Sequence, residues 1–142
     1  MKAAVIAHCL LAGCASPQVN QAEMTALAGD YYSGDGLGWN LSLTLEADGV
    51  FRCNWHGCVV GSDMSLVGDW DLEGDTITFT PLSDADEAFL RRYFEDKTAR
   101  TATVEGNTVL IFADQEDFFA KYGPSTGSCF SREDARDVVS RF

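Results

Sequence analysis

The chain has 142 residues, of which 46% are hydrophobic and 23% charged, and this is typical of one folded domain with its own core rather than of a disordered or fibrous chain. Its formal charge is −12, from 22 acidic and 10 basic side chains. Nucleic acids and anionic lipid headgroups are bound by positively charged surfaces. The charge therefore argues against both partners and is compatible with a cationic one.

The first residues have the three parts of a secretory signal, namely one early basic residue, Lys2, an apolar stretch over residues 3–12, and small residues before a cysteine. The apolar stretch is shorter than the about 20 residues that a membrane-spanning helix needs. We therefore predict a signal peptide over residues 1–13. The alternative is a buried amino-terminal strand or helix of a cytosolic protein.

The run Leu11-Ala12-Gly13-Cys14 resembles the lipobox of bacterial lipoproteins. The resemblance implies that Cys14 carries the lipid, becomes the first mature residue and attaches the protein to the membrane. Because Ala15 rather than an aspartate follows, it also implies an outer-membrane anchor facing the periplasm. Residues 14–29 are small and polar, which predicts a lipidated tether in which residues 22–28 can form a short helix, before a β-rich domain over residues 30–142.

From residue 40 onward, apolar and polar residues alternate as they do in strands with one buried face. One hairpin is predicted around the turn 47–49, a second around the turn 73–75 with its end at Pro81, and a third around Gly106-Asn107. Tyr31-Tyr32 is a candidate for a further strand.

Helical patterns interrupt the strands, with an aromatic stripe over residues 83–94, a short helix over 114–122 and a last helix beginning at Ser131. Six or seven strands with two or three short helices predict a mainly β fold. We expect an antiparallel meander curled into a small barrel or half-barrel, with the helices packed at an end.

The pattern Gly29-x-Tyr31, Leu43-x-Leu45-x-x-Asp48-Gly49-x-Phe51 and Gly68-x-Trp70-x-x-x-Gly74-Asp75-x-Ile77-x-Phe79 is similar to the small lipocalin-like barrels of bacterial envelope lipoproteins. Copper-resistance and envelope-stress lipoproteins resemble it most in pattern, over residues 29–81. Their Cys-x-x-Cys pair has no counterpart here, so metal sensing is not implied. The segments 34–40 and 55–58 also resemble an uncharacterised bacterial family.

No catalytic constellation is predicted. His56 is the only histidine that remains after processing. Strand alternation directs Cys53 inward and places His56 on the opposite side or, with Gly57, in the turn that follows. Asp69 and Asp71 fit a solvated strand face better than an acid–base pair. The glycines of residues 34–38 precede a strand rather than a helix, so turn geometry explains them better than phosphate binding. We expect no cofactor.

Processing leaves Cys53, Cys58 and Cys129, which in an oxidising compartment allow one intramolecular disulfide. A bridge between Cys58 and Cys129 closes a long loop and is worth about 4 kcal/mol on the chain-entropy model, against about 2 kcal/mol for Cys53 to Cys58. The longer bridge is therefore preferred. A zinc site of the three thiols and His56 is the weaker alternative because the spacing matches no common zinc motif.

Trp39, Trp55 and Trp70 are either core residues or the wall of a ligand cavity. The leading hypothesis for function is a non-enzymatic, lipid-anchored envelope lipoprotein that binds a small ligand or an envelope protein. An inhibitor of a basic lysozyme-type enzyme is the first alternative, because an acidic domain suits a basic enzyme. A cell-wall hydrolase is the second and has the least support.

Overall fold

The structure, a computed structural model, describes residues 17–34, 40–56, 64–82, 94, 97–125 and 127–132. Helix α1 spans Pro17–Leu27 and helix α2 spans Glu116–Tyr122, directly after a short 3₁₀ turn over Ala113–Gln115. The strands are β1 (Gly29–Gly34), β2 (Asn40–Leu45), β3 (Val50–His56), β4 (Met64–Glu73), β5 (Thr76–Pro81), β6 (Thr98–Val104), β7 (Asn107–Phe112) and β8 (Phe130–Arg132).

The eight strands form a closed antiparallel barrel in which each strand pairs with its neighbours in sequence and β8 pairs with β1. Each described strand is therefore paired on both sides, although β8 pairs with β1 and with β7 over two residues each. The predicted small antiparallel barrel is thus confirmed, in its closed form. The strand count was too low because β8 has only three residues, and the predicted start of a last helix at Ser131 is wrong because Ser131 pairs with Tyr32 and Val109 inside β8.

The two ends of the barrel differ. At one end, called here the helix end, α1 lies beside the tight turns that join β2 to β3, β4 to β5 and β6 to β7. At the opposite end, called the loop end, the chain passes from β1 to β2, β3 to β4, β5 to β6 and β7 to β8.

The barrel interior is filled by large side chains. Its centre is a group of phenylalanine rings whose neighbouring centroids are 5.1–5.3 Å apart, in stacked, tilted and edge-on arrangements. The rings belong to Phe51, Phe79, Phe94, Phe112 and Phe130, and each is at most 4% exposed. An eight-stranded barrel is just wide enough for side chains to fill it, and these rings do so.

Helix α1 corrects the prediction of a tether over residues 14–29 in its described part: the short helix considered for residues 22–28 is present but begins earlier, at Pro17, and Gly29 begins β1. Met24 and Leu27 are each 8% exposed and belong to the main core. The Arg132 guanidinium donates to the carbonyl oxygens of Ala26 at 3.0 Å and Ala28 at 3.3 Å, where a cation interacts favourably with the carboxyl end of a helix. These hydrogen bonds, called here the latch on α1, come from a residue more than 100 positions away in the chain, so the local sequence does not predict them.

Helix α2, over the segment predicted as a short helix, packs outside the barrel. Phe119 lies against Val109, Ile111 and Cys129, which form a second, smaller hydrophobic cluster on the outer face of β7. The helix ends at Gly123, whose φ of 76° is accessible to glycine and whose N–H donates to the Phe119 carbonyl. Because α2 covers one side of β7 and the core covers the other, residues 109–112 are all buried.

Several predicted features lie outside the described residues. These are the signal peptide, Cys14, Trp39, Cys58, and the helix predicted over residues 83–94 apart from Phe94 itself, which has helical backbone and is fully buried. None of the helices in the described part has the length and the apolar character needed to cross a bilayer.

Candidate functional site

The tryptophans that the structure describes act in packing. Trp70 is 3% exposed, and its indole N–H donates to the Glu46 carbonyl oxygen at 2.9 Å. Trp55 is partly buried and packs against the same core. The cavities described below are lined by other residues, so the ligand wall proposed for Trp39, Trp55 and Trp70 gains no support and stays a prediction.

Cys53 and Cys129 are free, buried thiols in separate hydrophobic clusters. Burial raises the pKa of both thiols, so both are held protonated. The bridge from Cys129 to Cys58 has no support in the structure and stays a prediction, since Cys58 lies outside the described residues. A zinc site that uses both Cys53 and Cys129 does not fit, because the first lies inside the barrel and the second outside β7.

His56 lies on the outer face, as strand alternation predicted, while Phe51 and Cys53 of the same strand are fully buried. Its Nε2 atom is 3.1 Å from the Ser42 hydroxyl on the paired strand β2. This pair was not predicted from the sequence, in which Ser42 is only a polar position of an alternating strand. His56 is exposed on the outer face of the barrel.

Metal-ligating side chains are scattered in the part of the chain that the structure covers. Within it, no group of three or more histidine, cysteine, aspartate or glutamate side chains is arranged to hold a metal ion. The carboxylates of Asp69 and Asp71 point outward at alternate positions of β4, opposite Thr80 and Thr78 of β5. They form a polar strand face, as the sequence analysis favoured.

The loop end contains a small cavity of about 60 Å³. Its apolar lining comes from Leu41, Phe94, Phe112 and Phe130, and its polar lining from Ser33, Asp114 and Gln115. The Gln115 side chain also joins two backbone segments, since it accepts a hydrogen bond from the Phe112 N–H and donates one to the Gly127 carbonyl. A buried water needs about 10–15 Å³ of such space, so the cavity has room for a few waters and not for a sugar or a lipid.

The helix end contains a larger groove of about 310 Å³, called here the helix-end groove. It lies between α1 and the β6–β7 hairpin, at the part of the barrel mouth that α1 leaves uncovered. Leu27 and Leu72 supply apolar side chains, three threonines supply hydroxyl groups, and Glu23 supplies a carboxylate; the threonines are Thr101, Thr103 and Thr108. Ligand sites in proteins begin at about this volume.

The helix end also carries most of the unpaired negative charge of the described surface. The carboxylates that lie there, called here the acidic surface, belong to Glu23, Asp48, Glu73, Asp75 and Glu105. All five side chains are exposed, and within the described ranges none of them is in an ion pair. The sequence shows the total charge, but only the barrel brings three separate turns and one helix to the same end.

Each basic side chain of the described part has an interaction partner within the chain. Arg52 pairs with Glu46 at 2.7 Å, Lys97 with Asp114 at 2.8 Å and Arg100 with Glu116 at 3.2 Å. The remaining two are Arg132, which holds α1, and Lys121, whose Nζ lies 4.8 Å from the Tyr122 ring centroid. Of these basic side chains, Arg132 lies at the helix end and pairs with carbonyl oxygens rather than with a carboxylate. The five carboxylates of the acidic surface outnumber it, so the net potential of this end is negative.

Comparisons of this chain with protein-family models, with curated proteins and with solved structures each find no match. The site is therefore interpreted from its own chemistry.

Proposed function

We propose that the protein is a lipid-anchored envelope protein that binds a cationic protein through the acidic surface. The observation that carries the proposal is the one-sided charge of the helix end, where five exposed carboxylates gather without an ion pair in the described part. Such a surface attracts basic proteins, accelerates their encounter and repels acidic ones.

The filled interior supports a surface mode of binding over a carrier function. Phenylalanine rings occupy the centre of the barrel, and the cavity at the loop end measures about 60 Å³. A barrel that carries a small molecule needs an interior of several hundred cubic ångströms. Of the two kinds of partner considered from sequence, the envelope protein is therefore the better supported.

The predicted anchor brings the acidic surface close to a membrane. Lipidated Cys14 stands three residues before Pro17, where α1 begins, and three residues span at most about 11 Å. Helix α1 is itself fixed to the barrel, since Gln21 donates to the Ala47 carbonyl and Asn20 donates to the Asp71 carboxylate. A cationic partner on the same membrane would therefore meet the helix end at short range.

The test uses residues 15–142, which omit the predicted signal peptide and the predicted lipid-bearing Cys14 and are called here the mature chain. A basic lysozyme is the cationic probe, and affinity is measured at about 0.1 M salt. Neutralising the acidic surface with Glu73→Gln, Asp75→Asn and Glu105→Gln is expected to weaken binding about tenfold, since each exposed charge pair contributes about 0.2–1 kcal/mol.

The matched control removes the same number of charges near α2, with Asp114→Asn, Glu116→Gln and Asp117→Asn. It is expected to change the dissociation constant less than about threefold, because at about 0.1 M salt screening limits charge effects to about 10 Å. Equal losses of affinity in the two variants, or no binding by the unmodified chain, would contradict the proposal. A parallel assay of lysozyme activity tells whether binding also inhibits the enzyme.

A further inference from the structure

The helix-end groove combines apolar side chains, hydroxyl groups and the carboxylate of Glu23 in one place. Leu27 of α1 and Leu72 of β4 give it apolar side chains, and the hydroxyls of Thr101, Thr103 and Thr108 come from the facing hairpin. Thr101 and Thr103 lie on the same side of β6 as buried Ala99, so they face the barrel mouth.

Carboxylates surround this groove. Glu23 lines it directly, and Gly74, which also lines it, is flanked along the chain by Glu73 and Asp75. Glu105 lies in the turn that joins the two strands carrying the threonines. The Arg132 guanidinium is also near, since it donates to the carbonyls of Ala26 and Leu27, which line the groove. The four carboxylates outnumber this one cation, so a cationic occupant is favoured over an anionic one.

We propose that the helix-end groove receives a lysine side chain of the cationic partner, an inference that rests on the function proposed above. The four-carbon stem of lysine would pack against Leu27 and Leu72, as such stems do on apolar surface. Its ammonium group has three separately directed donors, which fits threonine hydroxyls that come from two strands.

Lysine fits this groove better than arginine. The planar guanidinium is suited to a carboxylate or phosphate that it can grip with two parallel hydrogen bonds. Glu23 is the one carboxylate in the lining, and the other polar atoms are single hydroxyl oxygens. The chemistry of the lining therefore favours a compact charge at the end of a flexible stem.

The first experiment titrates the mature chain with N-acetyl-lysine methylamide and follows the backbone amide signals by NMR. Saturable shifts are expected at Gly74, Thr101 and Thr103, and no shifts at Phe118 on α2. The norleucine analogue keeps the four-carbon stem and lacks the ammonium, so it is expected to cause none. Equal shifts with both compounds would mean an apolar ligand site and would overturn the inference.

The second experiment fills the groove from α1. Ala26 is exposed and lines the groove, whereas Ala22, one helical turn earlier, is exposed and does not line it. Ala26→Phe is expected to abolish the lysine-induced shifts and to weaken lysozyme binding at least fivefold, and Ala22→Phe is expected to leave both unchanged.

The two proposals fail in different ways. If Ala26→Phe retains full lysozyme affinity while neutralisation of the acidic surface lowers it, the groove inference is wrong and the proposed function stands. If lysine-induced shifts appear at the groove but no basic protein binds, the proposed function is wrong.

Discussion

At Gly68 the barrel wall and the core lie too close together for a side chain. A Cβ atom added there would lie 2.4 Å from a Phe51 ring carbon and 2.4 Å from the Thr80 carbonyl oxygen. Real Cβ atoms essentially never come within 3.0 Å of such atoms. We therefore expect Gly68→Ala to force a displacement on both sides of β4.

Neither neighbour can move easily. The Phe51 ring packs edge-on against Phe79 at 5.1 Å and stacks on Phe94 at 5.3 Å. The Thr80 oxygen belongs to the backbone of β5, which is paired with β4 along its length. Overpacking of a filled core costs about 1–3 kcal/mol, and a double clash of this kind belongs at the upper end, about 3 kcal/mol.

Urea unfolding of the mature chain, followed by tryptophan fluorescence, measures the effect. With a slope of about 1–3 kcal/mol per molar urea, a loss of 3 kcal/mol lowers the midpoint by at least about 1 M. The matched control is Gly127→Ala, since a Cβ there meets no atom within 4 Å, and it is expected to change stability by less than about 0.5 kcal/mol. Equal midpoints for the two variants would refute the reasoning.

Three further variants test the account. Arg132→Ala removes the hydrogen bonds that hold α1 and is expected to lower the free energy of unfolding by about 1.5–3 kcal/mol. Hydrogen-exchange protection should be lost in α1 before it is lost in the strands, and unchanged protection in α1 would contradict this role of Arg132. Trp70→Phe removes the indole donor to Glu46 and is expected to cost about 1 kcal/mol by urea unfolding with an unchanged far-ultraviolet spectrum; a cost of zero would mean that this bond contributes nothing. Burial raises the pKa of Cys53, so as the pH rises the unfolded chain loses the thiol proton before the folded chain does. The contribution of this group to the free energy of unfolding is complete below about pH 8.5 and falls above it, by up to about 1.4 kcal/mol per pH unit. Cys53→Ala should flatten that fall between pH 8.5 and 10, and an unchanged slope would show that Cys53 does not cause it.

The strand pattern was predictable because a strand with one buried face has apolar and polar residues at alternate positions of the sequence. Leu41, Leu43 and Leu45 are each at most 4% exposed, and the polar residues between them are not buried. The same alternation placed Cys53 inside and His56 outside. These features depend only on neighbours two positions away, which a single sequence contains.

The features that were missed depend on distant partners. Among the α1 side chains that the structure describes, Met24 and Leu27 alone belong to the core, which is a weak local signal, and the last carbonyls of the helix are held by Arg132. Strand β8 is too short to show a period. Likewise the helix-end groove forms from side chains between Glu23 and Thr108, which are brought together only when the barrel closes.

The salt dependence of binding tests the central claim most directly. The dissociation constant of the mature chain and a basic lysozyme is measured at about 0.01 M and about 0.1 M salt, where the screening length falls from about 30 Å to about 10 Å. If the acidic surface recognises a cationic protein, the dissociation constant rises at least tenfold between the two conditions. A dissociation constant that stays the same, or no binding at the lower salt concentration, would contradict the account.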